Sequence, residues 1–204
     1  YAGFGEGHAD GPISEAQFGS LYGITVDLEG NVYVADGNST LRKISPEGNV
    51  STLAGSSYGF KDGQGPNAQL SVITDLAVDK EGNLIGADND NHRIRHITTE
   101  GSVTTISGSI EGHLDGPSEV ALFAFPSSMA FDEQGNLYIG DENQSIRVIT
   151  PNGNVSTLLI TESGFQDGNP AEAKISTPYG MAIHGQYLYF SESSNHALRR
   201  ITLD

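Results

Sequence analysis

The sequence lacks several features that would each point to a class of protein. There is no cysteine among the 204 residues, so neither a disulfide nor a thiolate metal site can form. No apolar run approaches the ~20 residues of a membrane-spanning helix, so we expect no membrane insertion. Basic residues are scarce, with 10 Lys and Arg against 26 Asp and Glu, and the formal net charge is −16. Because such a chain repels phosphate backbones, we expect no nucleic-acid partner.

The sequence does contain 26 glycines, and a set of short motifs recurs in it four times in the same order. The dipeptide Asp-Gly begins at Asp10, Asp62, Asp115 and Asp167, in steps of 52, 53 and 52 residues. Each dipeptide is followed by short apolar runs, which are separated by Gly, Asn and Asp clusters that reverse a chain. In the second copy these runs are 76–78, 84–87, 94–97 and 103–106.

The repeat predicts an all-β protein. Each copy reads as a four-stranded antiparallel meander, and tandem sheets of this kind close radially into a β-propeller with one blade per copy. We expect a single domain over residues 1–204, with repeats at about 3–54, 55–107, 108–160 and 161–204.

The repeats resemble the NHL family, which is named for an Asn-His-Leu signature. The signature is best preserved at Asn91-His92-Arg93-Ile94 and Asn195-His196-Ala197-Leu198. The other two copies depart from it and read Asn38-Ser39-Thr40-Leu41 and Asn143-Gln144-Ser145-Ile146. The match covers the chain end to end and looks like the long-repeat bacterial or archaeal form. It implies four-stranded propeller blades, in a family whose rings usually have six.

The fourth copy lacks most of its outer strand. Asp204 aligns with Glu47 and Tyr1 aligns with Leu53, so the residues equivalent to 48–52 are absent. We therefore expect an exposed strand edge on repeat four. Three interpretations stay open: a four-bladed ring, four blades of a larger ring, or a subunit that pairs edge to edge with another chain.

Acidic and basic residues recur at fixed positions, and we expect most to be structural because an active site needs asymmetry between copies. The first acidic set precedes a Gly-Asn reversal and should accept backbone N–H bonds from two residues on: Asp27, Asp79 and Asp132. The second ends a strand and has the same expected role: Asp36, Asp88 and Asp141. Arginines in the third strand should pair with these acids between neighbouring blades: Arg42, Arg95, Arg147 and Arg199. The signature residues should also be structural, with the imidazoles bonding backbone between strands: Asn91, His92, Asn195 and His196.

Six histidines raise the question of a metal site. NHL-like propellers include amidating lyases that hold a metal with His, and related six-bladed propellers include calcium-dependent lactonases. His184 is the outlier among the six, because it replaces the acid of the first set. The resemblance therefore implies candidate metal ligands at a central channel: His184, Asp27, Asp79 and Asp132. Calcium is the candidate cofactor, although our first expectation is no metal, no cofactor and no catalytic residue.

The regular blades favour a non-catalytic interaction or scaffold module at the cell surface or outside the cell. Such a module would bind protein or other ligands through the propeller face, or associate with itself through an unpaired blade edge. Four sequons are candidate glycosylation sites if the protein is exported: Asn38, Asn49, Asn143 and Asn154. The alternative is a metal-dependent lyase or lactonase-like hydrolase, and a third interpretation is a ligand-sensing ectodomain of a larger protein.

Overall fold

The computed structural model of the protein describes residues 1–37 and 39–203. The candidate glycosylation site Asn38 and the last residue of the predicted repeat 161–204 lie outside this range. Two compact units are present, Tyr1–Ile106 and Ser107–Asp204. Each unit contains two of the four predicted repeats.

The first unit consists of two five-stranded antiparallel sheets, which we call blades 1 and 2. Blade 1 has the order β1-β5-β4-β3-β2, with β1 Gly11–Pro12, β2 Leu21–Val26, β3 Val32–Asp36, β4 Thr40–Ile44 and β5 Asn49–Gly55. Blade 2 has the order β6-β10-β9-β8-β7, with β6 Gly63–Gln64, β7 Ile73–Val78, β8 Leu84–Asp88, β9 Arg93–Ile97 and β10 Ser102–Ser107. Two short 3₁₀ helices, Gly65–Asn67 and Asn89–Asn91, lie in connections of blade 2.

The second unit consists of blades 3 and 4. Blade 3 has the order β11-β15-β14-β13-β12, with β11 Gly116–Pro117, β12 Pro126–Phe131, β13 Leu137–Asp141, β14 Ser145–Ile149 and β15 Asn154–Ile160. Blade 4 has three strands in the described part of the chain, in the order β16-β17-β18, with β16 Pro178–His184, β17 Tyr187–Glu192 and β18 Ala197–Thr202.

The predicted fold class is confirmed: the protein is an all-β propeller of four blades. The four apolar runs of the second repeat coincide with β7 to β10. One detail differs, because blades 1 to 3 have five strands rather than four. The extra strands are β1, β6 and β11, which contain two residues each, and such a short Gly-Pro or Gly-Gln segment carries no alternating pattern that would reveal it.

In each unit a hydrophobic core cluster lies between the two blades, and blade 1 has a further cluster of its own. The middle strands β8 and β13 are buried at all five positions, which is why they read as continuous apolar runs. In the first unit Tyr33 and Leu41 of blade 1 pack with Leu70 and Leu76 of blade 2. Full burial of side chains of this size contributes about 1.5–3 kcal/mol each.

Strands β2 and β7, the first long strands of blades 1 and 2, approach each other at Gly23. A Cβ at residue 23 would lie 2.6 Å from the Cα atom of Asp75 in β7. The close approach therefore depends on glycine having no side chain.

The described residues contain no helix with the length and hydrophobicity that a membrane span requires.

Candidate functional site

A buried arginine bridges two acids in blade 2. Arg95 Nη1 donates to Asp88 Oδ2 at 2.6 Å, and Nη2 donates to Asp62 Oδ1 at 2.8 Å. The side chains of Arg95 and Asp88 are fully buried, whereas that of Asp62 is about half exposed. The same arrangement recurs in two other blades, as Asp36–Arg42–Asp10 and Asp141–Arg147–Asp115.

These ion pairs lie within a blade, which differs from the expected pairing between neighbouring blades. The cause is the unforeseen two-residue strand of each of these blades. In blade 1 the short strand β1 pairs with β5 through Gly11 and Val50, and this pairing brings Asp10 over the end of Arg42. Arginine and both acids therefore belong to one sheet.

The strand-ending acids also do more than cap a local turn. Each accepts a backbone N–H bond from a residue 17 positions upstream: Gly19 bonds Asp36, Ser71 bonds Asp88, and Ala124 bonds Asp141. These bonds fix the connection that leads into the first long strand of each blade.

The exposed acid of each network holds the outer strand through a threonine. Thr105 donates from its backbone N to Asp62 Oδ2 at 3.2 Å and from Oγ1 to Oδ1 at 3.0 Å. Thr52 bonds Asp10, and Thr157 bonds Asp115, in the same way. Burial raises the pKa of Asp10 and of Asp115, but the bonds from threonine and arginine outweigh it and hold both pKa values below their usual range. The carboxylate is thus charged where it ties arginine to the strand.

Blade 4 contains the same network with one side open. Arg199 Nη1 donates to Glu192 Oε2 at 3.2 Å, and Nη2 lies 2.9 Å from Asp167 Oδ1. No strand of the described residues lies beyond β18, so Asp167 has no threonine opposite it. Its side chain is 85% exposed, whereas that of Asp62 is 46% exposed.

A cleft of about 740 Å³ occupies the place that an outer strand fills in the other blades. Apolar walls are formed by Tyr138, Leu158, Ile175 and Ile201, and Asp167 and Arg199 lie at its polar side. Sequence reasoning found the missing strand but not this cleft. The sequence signal was the absence, in the fourth repeat, of counterparts to Val103 and Thr105.

Blade 1 also has an open face, which we call the leading face. It is formed by Leu21, Ile24 and Val26 of β2, which are 52%, 64% and 57% exposed. Ile24 corresponds in the repeat to Leu76, which is 4% exposed because blade 1 covers it. The leading face is therefore an apolar surface of the kind that a blade normally buries.

The turn-capping role predicted for the first acidic set is confirmed. Asp27 Oδ1 accepts backbone bonds from Glu29 and Asn31, and its Oδ2 accepts bonds from the Asn31 side chain and the Tyr33 hydroxyl. Burial raises the pKa of Asp27, but these hydrogen bonds outweigh it and keep the pKa low. Glu81 N bonds Asp79, and Gln134 N bonds Asp132, at the same point of the turn.

The four candidate metal ligands each belong to a different blade sheet. Asp27, Asp79 and Asp132 follow β2, β7 and β12, and His184 is the exposed last residue of β16. Within residues 1–37 and 39–203, no group of three or more His, Asp or Glu side chains is arranged to hold a metal ion. The lyase or hydrolase alternative, and calcium as its cofactor, stay predictions from sequence.

The signature asparagines fasten the turn before the third strand. Asn91 Nδ2 donates to Gly59 O at 2.7 Å and to Asp88 Oδ2 at 2.9 Å, and Asn195 bonds Gly164 O and Glu192 in the same manner. The signature histidines share a left-handed backbone, with φ of 55° at His92 and 52° at His196. The residues at this position in the other copies, Ser39 and Gln144, have φ of 61° and 52°, so the shared feature of the position is its turn geometry.

Asp141 is the buried acid whose pKa is displaced upward. Burial raises the pKa of this carboxyl to about 6, and the bonds from Ala124 and Asn143 and the charge of Arg147 offset only part of the rise. Its Oδ2 lies 3.7 Å from Arg147 Nη1, whereas the equivalent distance for Asp88 is 2.6 Å. Since the folded pKa exceeds the unfolded one, protonation favours the folded state. This contribution is complete below about pH 4 and is lost as the pH rises through 6.

We expect the substitution Asp141→Asn to remove this pH dependence. The difference in free energy of unfolding between wild type and variant should change by about 2 kcal/mol from pH 4 to 7, in the direction that disfavours the wild type at pH 7. Urea denaturation at a series of pH values measures it. Asp132→Asn, at a partly exposed turn of the same blade, is the control. Parallel curves for wild type and Asp141→Asn would contradict the expectation.

Comparison with known proteins gives partial sequence matches. No protein-family model matches the sequence. Teneurin-4 of Homo sapiens is 26% identical over 227 residues, which cover 94% of this chain and 8% of teneurin-4. NHL repeat-containing protein 2 of Gallus gallus is 34% identical over 83 residues, which cover 39% of this chain and 11% of that protein. The chain thus spans about a tenth of the length of these relatives.

A solved structure matches over most of the chain. An auxiliary nutrient binding protein from Bacteroides thetaiotaomicron has a TM-score of 0.72 and 18% identity, and the match covers 91% of this chain and 48% of that one. At this identity the likeness shows a shared fold.

Proposed function

Because the chain is an NHL-type β-propeller of four blades, we propose that it is a non-catalytic, extracellular interaction module. Its proposed partner is a second copy of itself, bound head to tail. The observation that carries the proposal is the leading face, where Ile24 is 64% exposed although its counterpart Leu76 is buried at 4%. An apolar patch of this kind on a folded domain marks an interaction surface.

The complementary surface lies on blade 4. In the first unit, Leu76 packs in one core cluster with Tyr33 and Leu41 of blade 1. The repeat counterparts of Tyr33 and Leu41 in blade 4 are Tyr189 and Leu198, which we call the trailing face. Leu198 is 75% exposed, whereas Leu41 is fully buried.

The leading face of one copy fits the trailing face of another, because the same two kinds of surface already pack between blades 1 and 2. Such a contact is heterologous, since it joins two different surfaces of the same chain. A heterologous contact produces a ring when its rotation closes and a filament when it does not.

An extracellular location is supported by the surface of the protein. The three candidate glycosylation sites within the described residues, Asn49, Asn143 and Asn154, are all exposed. Their exposure is compatible with glycan attachment, which occurs on surface loops of secreted proteins.

The proposal predicts that self-association depends on both faces. We expect the wild-type chain to exceed the 21.6 kDa chain mass in a concentration-dependent way, as measured by light scattering or sedimentation. Ile24→Glu and Leu198→Glu should each abolish association, because either change places a charge in the apolar contact. Since both side chains are exposed, we expect neither change to disturb the fold.

A mixture of the two variants provides the decisive test. Ile24→Glu retains an intact trailing face and Leu198→Glu retains an intact leading face, so an equimolar mixture should form dimers and nothing larger. Ile110→Glu alters an exposed apolar residue outside both faces, and it should associate like the wild type. A wild-type chain that stays monomeric at high concentration, or a mixture that stays monomeric, would overturn the proposal.

A further inference from the structure

We propose that Asn152 is a self-modification site, at which the chain converts its own side-chain amide to a carboxylate. The backbone N of Gly153 attacks Cγ of Asn152, the C–N bond of the side-chain amide breaks, and ammonia leaves with the proton of the Gly153 N–H. Water then opens the resulting succinimide, giving aspartate when the bond from Cγ to Gly153 N breaks and isoaspartate when the backbone bond breaks. The net reaction consumes one water and releases one ammonia. This inference goes beyond the proposed interaction role and does not depend on it.

The sequence places this chemistry at a single position. Asn152-Gly153 is the only Asn-Gly dipeptide in the chain, and a backbone nitrogen is least hindered when it belongs to glycine. The dipeptide lies in the turn between β14 and β15, where Asn152 is exposed and Gly153 has a positive φ of 77°. Water therefore has access to the side chain that reacts.

A hydroxyl group activates the Asn152 amide. Thr150 Oγ1 donates to Asn152 Oδ1 at 2.5 Å and accepts the backbone N–H of Asn154 at 3.3 Å. The other acceptor near this hydroxyl, the backbone O of Asn154, lies farther away at 3.1 Å and already accepts the N–H of Thr150. When Gly153 N adds to Cγ, the amide oxygen becomes negatively charged, and a donor already placed at that oxygen stabilises the transition state. Thr150 is therefore the group that promotes the attack.

Two sets of hydrogen bonds restrain Gly153. Its N–H donates to Thr150 O at 2.8 Å, and this bond has to open before the nitrogen can reach Cγ. Its carbonyl oxygen accepts from the backbone N of Ser118 at 2.8 Å and from the Ser118 hydroxyl at 2.9 Å. Isoaspartate would add a backbone atom between residues 152 and 153 and displace this carbonyl. The fold therefore favours aspartate as the product.

The fold already accommodates an acid at this position of the turn. The equivalent turns of blades 1 and 2 read Ser45-Pro46-Glu47-Gly48 and Thr98-Thr99-Glu100-Gly101. In blade 1 the hydroxyl of Ser45 bonds the carboxylate of Glu47 and holds the pKa of Glu47 below its usual range. Aspartate has the shape of asparagine, so the Thr150 hydroxyl would donate to the new carboxylate in the same way. Conversion thus gives the turns of blades 1 to 3 an acid each.

The test follows the wild-type chain by peptide mapping during incubation at neutral pH and physiological temperature. Trypsin releases residues 148–174 as one peptide, which contains both Asn152 and Asn154. We expect the mass increase of an amide-to-acid change at Asn152, whereas Asn154, which the buried and β-branched Val155 follows, should stay unchanged. A sample digested at once corrects for conversion during digestion. A synthetic peptide of residues 148–156 gives the rate without the fold, and a folded chain that keeps Asn152 intact while the peptide converts would overturn the proposal.

Two variants separate activation by Thr150 from restraint by the turn. Thr150→Ser keeps the hydroxyl and should convert at the wild-type rate. Thr150→Val has the same shape without the hydroxyl and should convert about tenfold more slowly, the effect of losing a hydrogen bond to a developing charge. If Thr150 only held the turn in place, Thr150→Val would free Gly153 N and speed the reaction. Equal or faster conversion in this variant would therefore refute the role assigned to the hydroxyl.

The fit of the product is tested with Asn152→Asp. This variant should unfold at the same urea concentration as the wild type, because the turn accepts an acid in blades 1 and 2. A lower midpoint would show that the turn of blade 3 does not accept one. Conversion and unfolding are both measured on single chains, so these results and those of the self-association test fail separately.

Discussion

Replacing Asp88 with alanine is expected to lower the free energy of unfolding by about 3–5 kcal/mol, because the change leaves a buried guanidinium without its main counter-charge. Arg95 has no exposed side-chain surface, so after loss of the 2.6 Å bond to Asp88 its guanidinium stays buried with only the half-exposed Asp62 as a counter-charge. The backbone N–H and hydroxyl of Ser71, which both bond Asp88 Oδ1, lose their acceptor as well. Urea denaturation followed by circular dichroism measures the loss.

The matched control for this substitution is Glu192→Ala in blade 4. Glu192 occupies the same position, bonding Ser176 N at 2.8 Å and Arg199 Nη1 at 3.2 Å. Arg199 is 10% exposed and its second partner Asp167 is open to solvent, so water can replace part of the lost interaction. We expect a loss of about 1–2 kcal/mol. Equal losses for the two variants would show that burial of the arginine does not set the cost.

The architecture was predictable because its signals are local and repeated. Turn clusters every few residues delimit β7 to β10, and recurrence of the same order identifies a propeller without any knowledge of contacts. The carboxyl of Asp27 was assigned correctly because an acid before a Gly-Asn reversal acts on residues two to four positions away. Hydrogen bonds between residues this close in the chain can be predicted from the sequence alone.

The ion-pair networks were predicted in composition but not in geometry. Arg95 and Asp88 were both identified as repeat residues, yet their placement within one blade depends on β6, a strand of two residues with no recognisable pattern. The bond between Ser71 and Asp88 spans 17 residues and has no local signature. Long-range pairings of this kind are determined by the packed structure rather than by sequence spacing.

The open surfaces of blades 1 and 4 were likewise predictable from the sequence only in part. Alignment of the copies already showed that the described part of repeat four does not include an outer strand. The exposure of Ile24 and Leu198 could not be predicted from the sequence, because both positions carry aliphatic residues of the kind that are buried in other blades. A sequence pattern states which face of a strand is apolar, but only the structure shows whether another blade covers that face.

The effect of an outer strand on core stability can be measured with one pair of substitutions. Ile97 and Ile201 occupy the same position of β9 and β18. Ile97 is fully buried in a cluster that includes Val103. Ile201 is partly buried and lines the cleft where such a valine is absent. The chemistry of the two side chains is identical, so any difference in the cost of truncation comes from their surroundings.

We expect Ile97→Ala to cost about 2–5 kcal/mol of unfolding free energy, since it removes a buried side chain and leaves a closed cavity. Ile201→Ala should cost about 1 kcal/mol. The Ile201 side chain already faces an open cleft, so its truncation creates no new enclosed void. Urea denaturation of both variants provides the comparison. Equal costs would mean that the cleft is closed in solution and that Ile201 is packed as tightly as Ile97.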